Sequence, residues 1–436
     1  LSFITSNSWM RAKYGKALRQ YFKTNTNPVR LLNFEDTLLF PAATVETNIL
    51  VLKREEFKEH LQATAVKSDL GNNPLASYQQ KRHIVLDSLD DDGWSVADPE
   101  DYRIKSLIEE VGTPLKEINY LINYGIKTGY NKAFIIKTEL RDELLEQDPK
   151  NDEIIKRFLS GRDLAKYRIE WNDDWLVFMR QGIEINKYPT IEKYLSSHYE
   201  RLKPKEKGDL IGRKPGSYAW YEIQDTISYY LDFEKPKLIW AELSDLPKFV
   251  YDEEGYYTNK TTFILTGDQL KYLMVLLNSK TLVWYFSQIS TSSGMGTTMW
   301  NKYKVEQIPV VFSSDANIAK VERIGEVLLF LNDPTSEEIN ERISNQRVSD
   351  FFEDVANMVV YELYFEEEMK AKELDVLQFI NEKTFPDISK MSLEEKKITI
   401  QKVYYELQQR DNPMRNRILV SESRSEIIRR INEVTK

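Results

Sequence analysis

A chain of 436 residues with 41% hydrophobic and 30% charged residues has apolar mass for large cores, and its length suggests two or three domains rather than a disordered polymer. It contains no Cys, which excludes a disulfide framework, a Cys nucleophile and Cys-ligated zinc, and fits a reducing, cytoplasmic setting. Its three His (His60, His83, His198) lack metal-ligand spacing, no apolar run approaches the ~18 residues of a membrane span, and a net charge of −9 taken alone discourages a nucleic-acid partner.

Residues 1–22, LSFITSNSWMRAKYGKALRQYF, predict a strand, a turn and a helix, with SNS as the cap and Trp9, Tyr14, Leu18 and Phe22 at helical spacing. Because the sequence starts on Leu1 and opens directly on a strand, the chain is expected to be the C-terminal piece of a longer protein. Two further strands follow, VRLLNF and TNILVLK, so residues 1–66 predict the remnant of an α/β sheet. Residues 67–110 predict a connector, with a GNNP turn and the acidic, breaker-rich LDDDGWSVADPED.

Residues 111–312 mix short β-rich runs (AFIIK, WLVFM, KLIWAEL, FVYD, GYYTNKTTFILT) with helical stretches (DEIIKRFLS, YPTIEKYLSSHYERL, GDQLKYLMVLLNSKTLVWYFSQIS). This predicts an α+β domain. From 313 the texture is helical. SSDANIAKVERIGEVLLFLN sets Ile318, Val321, Ile324, Leu328 and Leu331 on one stripe behind a Ser/Asp cap, and long amphipathic runs follow, so 313–436 predicts a helical bundle.

Charge is regional. Residues 1–30 carry six Lys/Arg and no Asp/Glu, whereas 311–400 sum to about −10. RLKPKEKGDLIGRK (201–214) has six basic and two acidic residues. Whole-chain charge does not set the sign of one cleft, so a basic groove can coexist with an acidic bundle. The alternative for 201–214 is a solvated loop.

Common catalytic signatures are absent. No phosphate loop, H-E-x-x-H, G-x-S-x-G or paired C-x-x-C occurs. Triplets such as Glu56-Phe57-Lys58 arise by chance among 69 acidic and 60 basic residues. TSSGMGTTMW (291–300) is Gly-rich and suits either a flexible loop or close approach to a phosphate backbone.

Two passages carry a resemblance. FITSNSWMRAKYGKALRQYF followed by LLFPAATVETNILVLK resembles the late motifs of γ-class DNA adenine-N6 methyltransferases. GIKTGYNKAFII, EIIKRFLSGRDLAKY, YPTIEKYL, FEKPKLIWAELSD, YLMVLLNSKTLVWY and VEQIPV, in that order, resemble the TaqI-like C-terminal specificity domain of type IIG restriction–modification enzymes; FFEDVANMVVYELYFEEE in the tail also looks like that family. No N-P-P-Y block and no Gly-rich cofactor loop occurs. The resemblance therefore implies a methyltransferase sheet edge joined to a DNA-reading half, with catalytic loop, cofactor pocket and nuclease in a missing N-terminal portion. It implies double-stranded DNA as partner. It also implies S-adenosylmethionine, and Mg for cleavage, as cofactors of the full-length parent, with none in this fragment.

Site residues follow. The resemblance matches Phe40 to the aromatic that stacks on an extruded adenine, with Pro41 fixing its turn; the plain alternative is packing at a strand end. In GIKTGYNKAF, Gly125 and Gly129 permit a tight loop, Lys127 and Lys132 suit phosphates, and Thr128 and Asn131 suit base edges, unless the segment is a hairpin with a solvated tip. SGRDLAKYR offers Arg162, Lys166 and Arg168; Arg162 suits either DNA or a lock on Asp163. Lys203, Lys205, Arg213 and Lys214 join Trp220 and Tyr221 as basic and aromatic candidates, although such aromatic pairs commonly sit in cores. Lys235 and Lys237 flank Pro236 before a buried strand and, as edge residues, are weaker candidates, and Asn278, Ser279 and Lys280 end a helix. Two further functions compete: a protein-interaction scaffold working through the helical tail, and a hydrolase hidden in the aromatic middle.

Overall fold

The computed structural model describes residues 1–34, 39–40, 46–66, 70–71, 74–91, 93–94, 96, 99–290 and 297–435. The architecture is mixed α/β, with several small sheets and a helical C-terminal region.

The first unit is a five-stranded sheet in the order Ser2–Ser6, Thr47–Lys53, Asn27–Phe34, Leu61–Val66, Ile84–Leu86. Thr47–Lys53 runs antiparallel to both neighbours, and Asn27–Phe34 pairs parallel with Leu61–Val66. The period-2 alternation divides the apolar side chains between two faces. Leu31, Leu50 and Leu52 join Trp9, Phe22 and Trp94, while Leu32, Phe34 and Val66 join Tyr78.

The expected helical stripe of Trp9, Tyr14, Leu18 and Phe22 is corrected. Trp9 lies in a 3-10 turn, and the helix Lys16–Asn25 starts later. Gly15 abuts the Trp9 carbonyl so closely that a Cβ there would stand 2.1 Å from its oxygen. Tyr14 and Leu18 are exposed, and Arg19 is buried in their stead, donating to the carbonyls of Trp9, Ala12 and Asp91.

Residues 67–110 do more than connect. Ile84–Leu86 extends the first sheet, and the helix Pro99–Val111 places Ile104 and Ile108 in the main core of the molecule.

The middle of the chain builds two four-stranded sheets. One runs Tyr257–Thr258, Ile155–Leu159, Asp174–Val177, Ile135–Lys137; the other runs Val250–Asp252, Lys237–Ala241, Thr262–Thr266, Leu121–Tyr124. DEIIKRFLS, expected as a helix, contains the strand Ile155–Leu159. It is antiparallel to Asp174–Val177 on one side and parallel to Tyr257–Thr258 on the other. Ile155, Phe158 and Leu159 are buried while Lys156 and Arg157 are half-exposed, so the apolar residues do not alternate and the run mimics helical spacing.

The stretch GDQLKYLMVLLNSKTLVWYFSQIS forms two helices, Leu270–Leu277 and Lys280–Ile289. The break is built by Asn278, whose amide pairs both backbone groups of Phe249 (2.8 and 3.1 Å), and by Ser279, which caps the second helix. Both residues are structural.

The helices Asp315–Asn332, Asn345–Tyr364 and Leu393–Leu407 begin on Ser314, Ser344 and Ser392, each capping with its side chain. The expected stripe of Ile318, Val321, Ile324, Leu328 and Leu331 is buried. One apolar cluster includes Trp240 and Phe263 of the second middle sheet together with Leu328, Phe352 and Ile428, so sheet and bundle share a core.

Candidate functional site

A cleft of about 1050 Å³ lies at the edge of the two middle sheets. Its wall includes Asn131, Lys132, Ser160, Arg162, Asp174, Glu242, Asp245, Lys248, Asn259 and Thr261. The loop after Leu121–Tyr124 brings Asn131 and Lys132, the Ser160–Asp163 turn brings Arg162, and the ends of the paired strands Lys237–Ala241 and Thr262–Thr266 bring Glu242 and Thr261.

The Ser160–Asp163 turn is a capping box: Asp163 accepts from the Ser160 N–H and hydroxyl at 2.7 Å each. Arg162 projects from it, largely exposed, 3.6 Å from Asp163 and 3.7 Å from Asp174. These long contacts hold one side of the guanidinium and leave its other N–H groups open to a ligand.

The cleft brings together Asn131, Lys132 and Arg162 and does not gather the remaining candidates. Thr128 is buried, and its hydroxyl donates to Asn131 Oδ1 at 2.6 Å, so it orients Asn131 rather than facing a ligand. Lys127 pairs with Asp225 at 3.8 Å. Gly129 adopts φ +81°, and the close approach at Gly125 is to the chain itself, at Asn259.

Arg213 is corrected most strongly. It is 3% exposed, and its guanidinium donates to five carbonyls: Leu202 (2.6 Å), Thr128 (2.9 Å), Glu222 (2.6 Å), Ala219 (3.3 Å) and Trp220 (2.9 Å). The ring of Tyr218 covers it, 4.4 Å from centroid to Cζ. No donor remains for a phosphate. Its role is to close the 201–214 loop, whose ends meet where the Arg213 N–H donates to Lys203 O at 2.9 Å.

Lys166 is also corrected. It pairs with Glu353 of the bundle. Arg168 pairs with Glu170, and Lys203 with Glu200 at 2.9 Å. Trp220 and Tyr221 are half-buried against the middle core. Lys205 and Lys214 have no side-chain partner among the described residues, and Lys214 is exposed.

Lys237 is not an edge residue. It is 0% exposed on an inner strand, paired with Asp252 and donating to Phe233 O. Burial pulls the Lys237 ammonium below its ordinary range and pushes the Asp252 carboxyl above its own. Lys235 pairs with Asp232 at 2.8 Å. Phe40 is 49% exposed, while Pro41 lies outside the described residues, as do 291–296 of the Gly-rich segment.

The expected cationic trough is not what lines the cleft. Lys132, Arg162 and Lys248 are matched by Asp174, Glu242 and Asp245. Asp245 is held below the usual carboxylate range by the Leu246 N–H and by Lys248. The wall is a mixed array of donors and acceptors. Sequence reasoning missed Glu242, Lys248, Asn259 and Thr261; only the turn-forming Asn of YTNKTT gave a local signal.

Among the described residues no group of three or more His, Asp or Glu is placed to hold a metal ion, and no helix is long and apolar enough to cross a membrane. A hollow of about 470 Å³ on the first sheet is lined by Asn27, Arg30, Lys53, Glu55, Lys58 and His60 among others. Its cations do not fit the sulfonium of S-adenosylmethionine.

Most of the cleft wall belongs to a segment with known relatives. Residues 156–310 match the TaqI-like C-terminal specificity domain family. The resemblance read from the sequence is thereby borne out over this specificity segment, which contributes Arg162, Asp174, Glu242, Lys248 and Asn259 to the wall. Curated relatives are type II methyltransferases. M.BanIII of Aneurinibacillus aneurinilyticus is 24% identical over 304 residues, covering 58% of this chain and 49% of that protein. M.XhoI of Xanthomonas vasicola is 22% identical, covering 71% and 58%, and M.PaeR7I of Pseudomonas aeruginosa is 21% identical, covering 64% and 50%. The chain spans about half the length of the curated relatives it matches.

Among solved structures, the type IIL restriction–modification enzyme MmeI in complex with DNA aligns over 93% of this chain and 49% of its own, at TM-score 0.48 and 12% identity. The type IIG restriction endonuclease BpuSI aligns over 84% and 47%, at TM-score 0.36 and 12% identity.

Proposed function

We propose that the chain reads double-stranded DNA for a restriction–modification system, with the cleft of the specificity segment facing the base edges. The observation that carries this reading is the set of polar side chains converging on one open cleft inside the segment that matches a specificity domain. Lys132 has no partner among the described residues, and Arg162 makes only long contacts of 3.6 and 3.7 Å. Phosphate contacts would come from Lys132 and from the exposed lysines of the 201–214 loop. They fix register, while base-edge contacts discriminate. The near-neutral cleft suits this division, since reading base edges needs donors and acceptors of both kinds.

The parent protein is proposed to methylate adenine N6 and, with a nuclease, to cleave. This chain would supply the sheet edge and the reading half. The order Ser2–Ser6, Thr47–Lys53, Asn27–Phe34, with the middle strand antiparallel to both neighbours, supports the sheet-edge reading. So does Phe40, whose exposed ring is available to stack on an extruded base. Among the described residues Ser2–Ser6 pairs on one side only, leaving a strand edge that the upstream part of a parent sheet would cover. The methyl donor, S-adenosylmethionine, would be held by that upstream part.

The test is equilibrium binding of the chain to a randomised duplex pool, followed by sequencing of what is retained. The expected result is enrichment of one short sequence. With six to ten phosphate contacts, affinity would fall ~10³–10⁵-fold between ~50 and ~200 mM salt. Retention without any sequence preference would reject the reading.

A further inference from the structure

Asn259 lies between the strands Tyr257–Thr258 and Thr262–Thr266, on the wall of the cleft. Its Oδ1 accepts two hydrogen bonds, from the Thr261 backbone N–H at 3.1 Å and from the Thr261 hydroxyl at 2.7 Å. A backbone N–H can only donate, so the receiving atom is the amide oxygen and the orientation of the amide is fixed. Both lone pairs of that oxygen are occupied.

The backbone is held as firmly. The Asn259 N–H donates to Leu159 O at 3.1 Å, and Asn259 O accepts from the Thr262 N–H at 3.1 Å and the Thr262 hydroxyl at 2.7 Å. Gly125 packs so near that a Cβ there would stand 1.8 Å from Asn259 O. By contrast, Nδ2 has no partner among the described residues, and its two hydrogens are free. A rigid support with one open donor is the arrangement expected of a preorganised contact.

We propose that Asn259 is a specificity-determining residue that reads a guanine in the major groove through Nδ2 alone. This rests on the duplex-reading function above. The usual asparagine contact to a base is bidentate to adenine, accepting from N6 and donating to N7. Asn259 is unable to make it, because its oxygen is committed to Thr261. Guanine presents two adjacent acceptors, O6 and N7, which suit a group with two hydrogens; thymine offers O4 beside a methyl group.

Glu242 supports the same choice. Its N–H donates to Thr261 O at 2.8 Å, and it lines the same cleft wall. A carboxylate accepts from cytosine N4, the partner of guanine in the pair. An amide donor and a carboxylate acceptor on one wall suit the two bases of a G·C pair.

The test compares the full chain with N259D and N259A in the randomised-duplex selection. Aspartate keeps an oxygen for Thr261 and replaces the free donor by an acceptor. The unmodified chain is expected to require guanine at one position. N259D is expected to lose that preference by roughly 10- to 100-fold and to favour cytosine there, with the other positions unchanged. N259A relaxes the same position without a new preference. Thermal midpoints of the variants separate lost reading from lost folding. If the unmodified chain selects a sequence but neither variant alters any base preference, or if the altered position is adenine or thymine, the inference is overturned while the duplex-reading function stands. If the unmodified chain selects nothing, that function fails and the inference falls with it.

Discussion

The guanidinium of Arg213 donates to the carbonyl of Thr128 at 2.9 Å, tying the basic loop to the turn that delivers Asn131 and Lys132 to the cleft. Four other carbonyls share the same side chain. A basic residue that the sequence offers as a DNA candidate is thus the clasp of the loop that displays Lys205 and Lys214.

Replacing Arg213 by Met is therefore expected to act on folding. Five carbonyls lose their donor at once, and the loss is expected to be about 3 kcal/mol or more in urea unfolding of the specificity segment. DNA affinity per folded molecule should stay within about twofold in anisotropy titrations. A variant of ordinary stability with abolished binding would contradict the clasp.

Lys214 and Lys132 are expected to behave in the opposite way. Each exposed cation that meets a phosphate contributes about 0.9 to the slope of log K against log salt. K132A and K214A should each lower that slope by about this amount and weaken all sequences alike, with unchanged thermal midpoints. Salt titrations of the two single variants and the pair provide the measurement.

The Lys166–Glu353 pair joins the specificity segment to the helix Asn345–Tyr364, with both side chains partly shielded from water. A double-mutant cycle with K166A and E353A is expected to give a coupling of about 1 kcal/mol in stability. Neither variant should change the salt slope of DNA binding. A change in slope for K166A alone would return Lys166 to the DNA-facing set.

Glu362 is buried and accepts from the N–H groups of Val376 and Leu377, while burial raises its carboxyl above the ordinary range. The native state then binds this proton more tightly than the unfolded chain does. Stability contributed by Glu362 therefore falls as pH rises through and above the usual Glu range. E362Q lacks that dependence. Its urea midpoint relative to the unmodified chain should improve between about pH 5 and about pH 8, and a difference that shrinks over that window would reverse the sign.

The legible parts of the fold share one property: a local signal strong enough to survive packing. The Ser-capped helix Asp315–Asn332 and its buried stripe were readable because cap and period lie within one segment. The order of blocks from 125 to 310 identified the specificity segment for the same reason. Asn131, Lys132 and Arg162 were readable because they stand on turns marked by Gly125, Gly129 and Gly161. DEIIKRFLS was misread because the buried residues Ile155, Phe158 and Leu159 do not alternate, and Asn259 was missed because its lock on Thr261 matters only once the turn meets the cleft.

Composition, caps and block order in the chain alone determined a mixed α/β protein with a helical end and a family-like reading segment. Which basic side chains are free was decided only in three dimensions. Arg213, Lys166 and Lys237 carry the same unit charge as Lys132 and Lys214, but the first three meet carbonyls or carboxylates from residues distant in sequence. A cation is available to a ligand only where the fold leaves it unpaired, and pairing depends on distances in space that no local run of residues encodes.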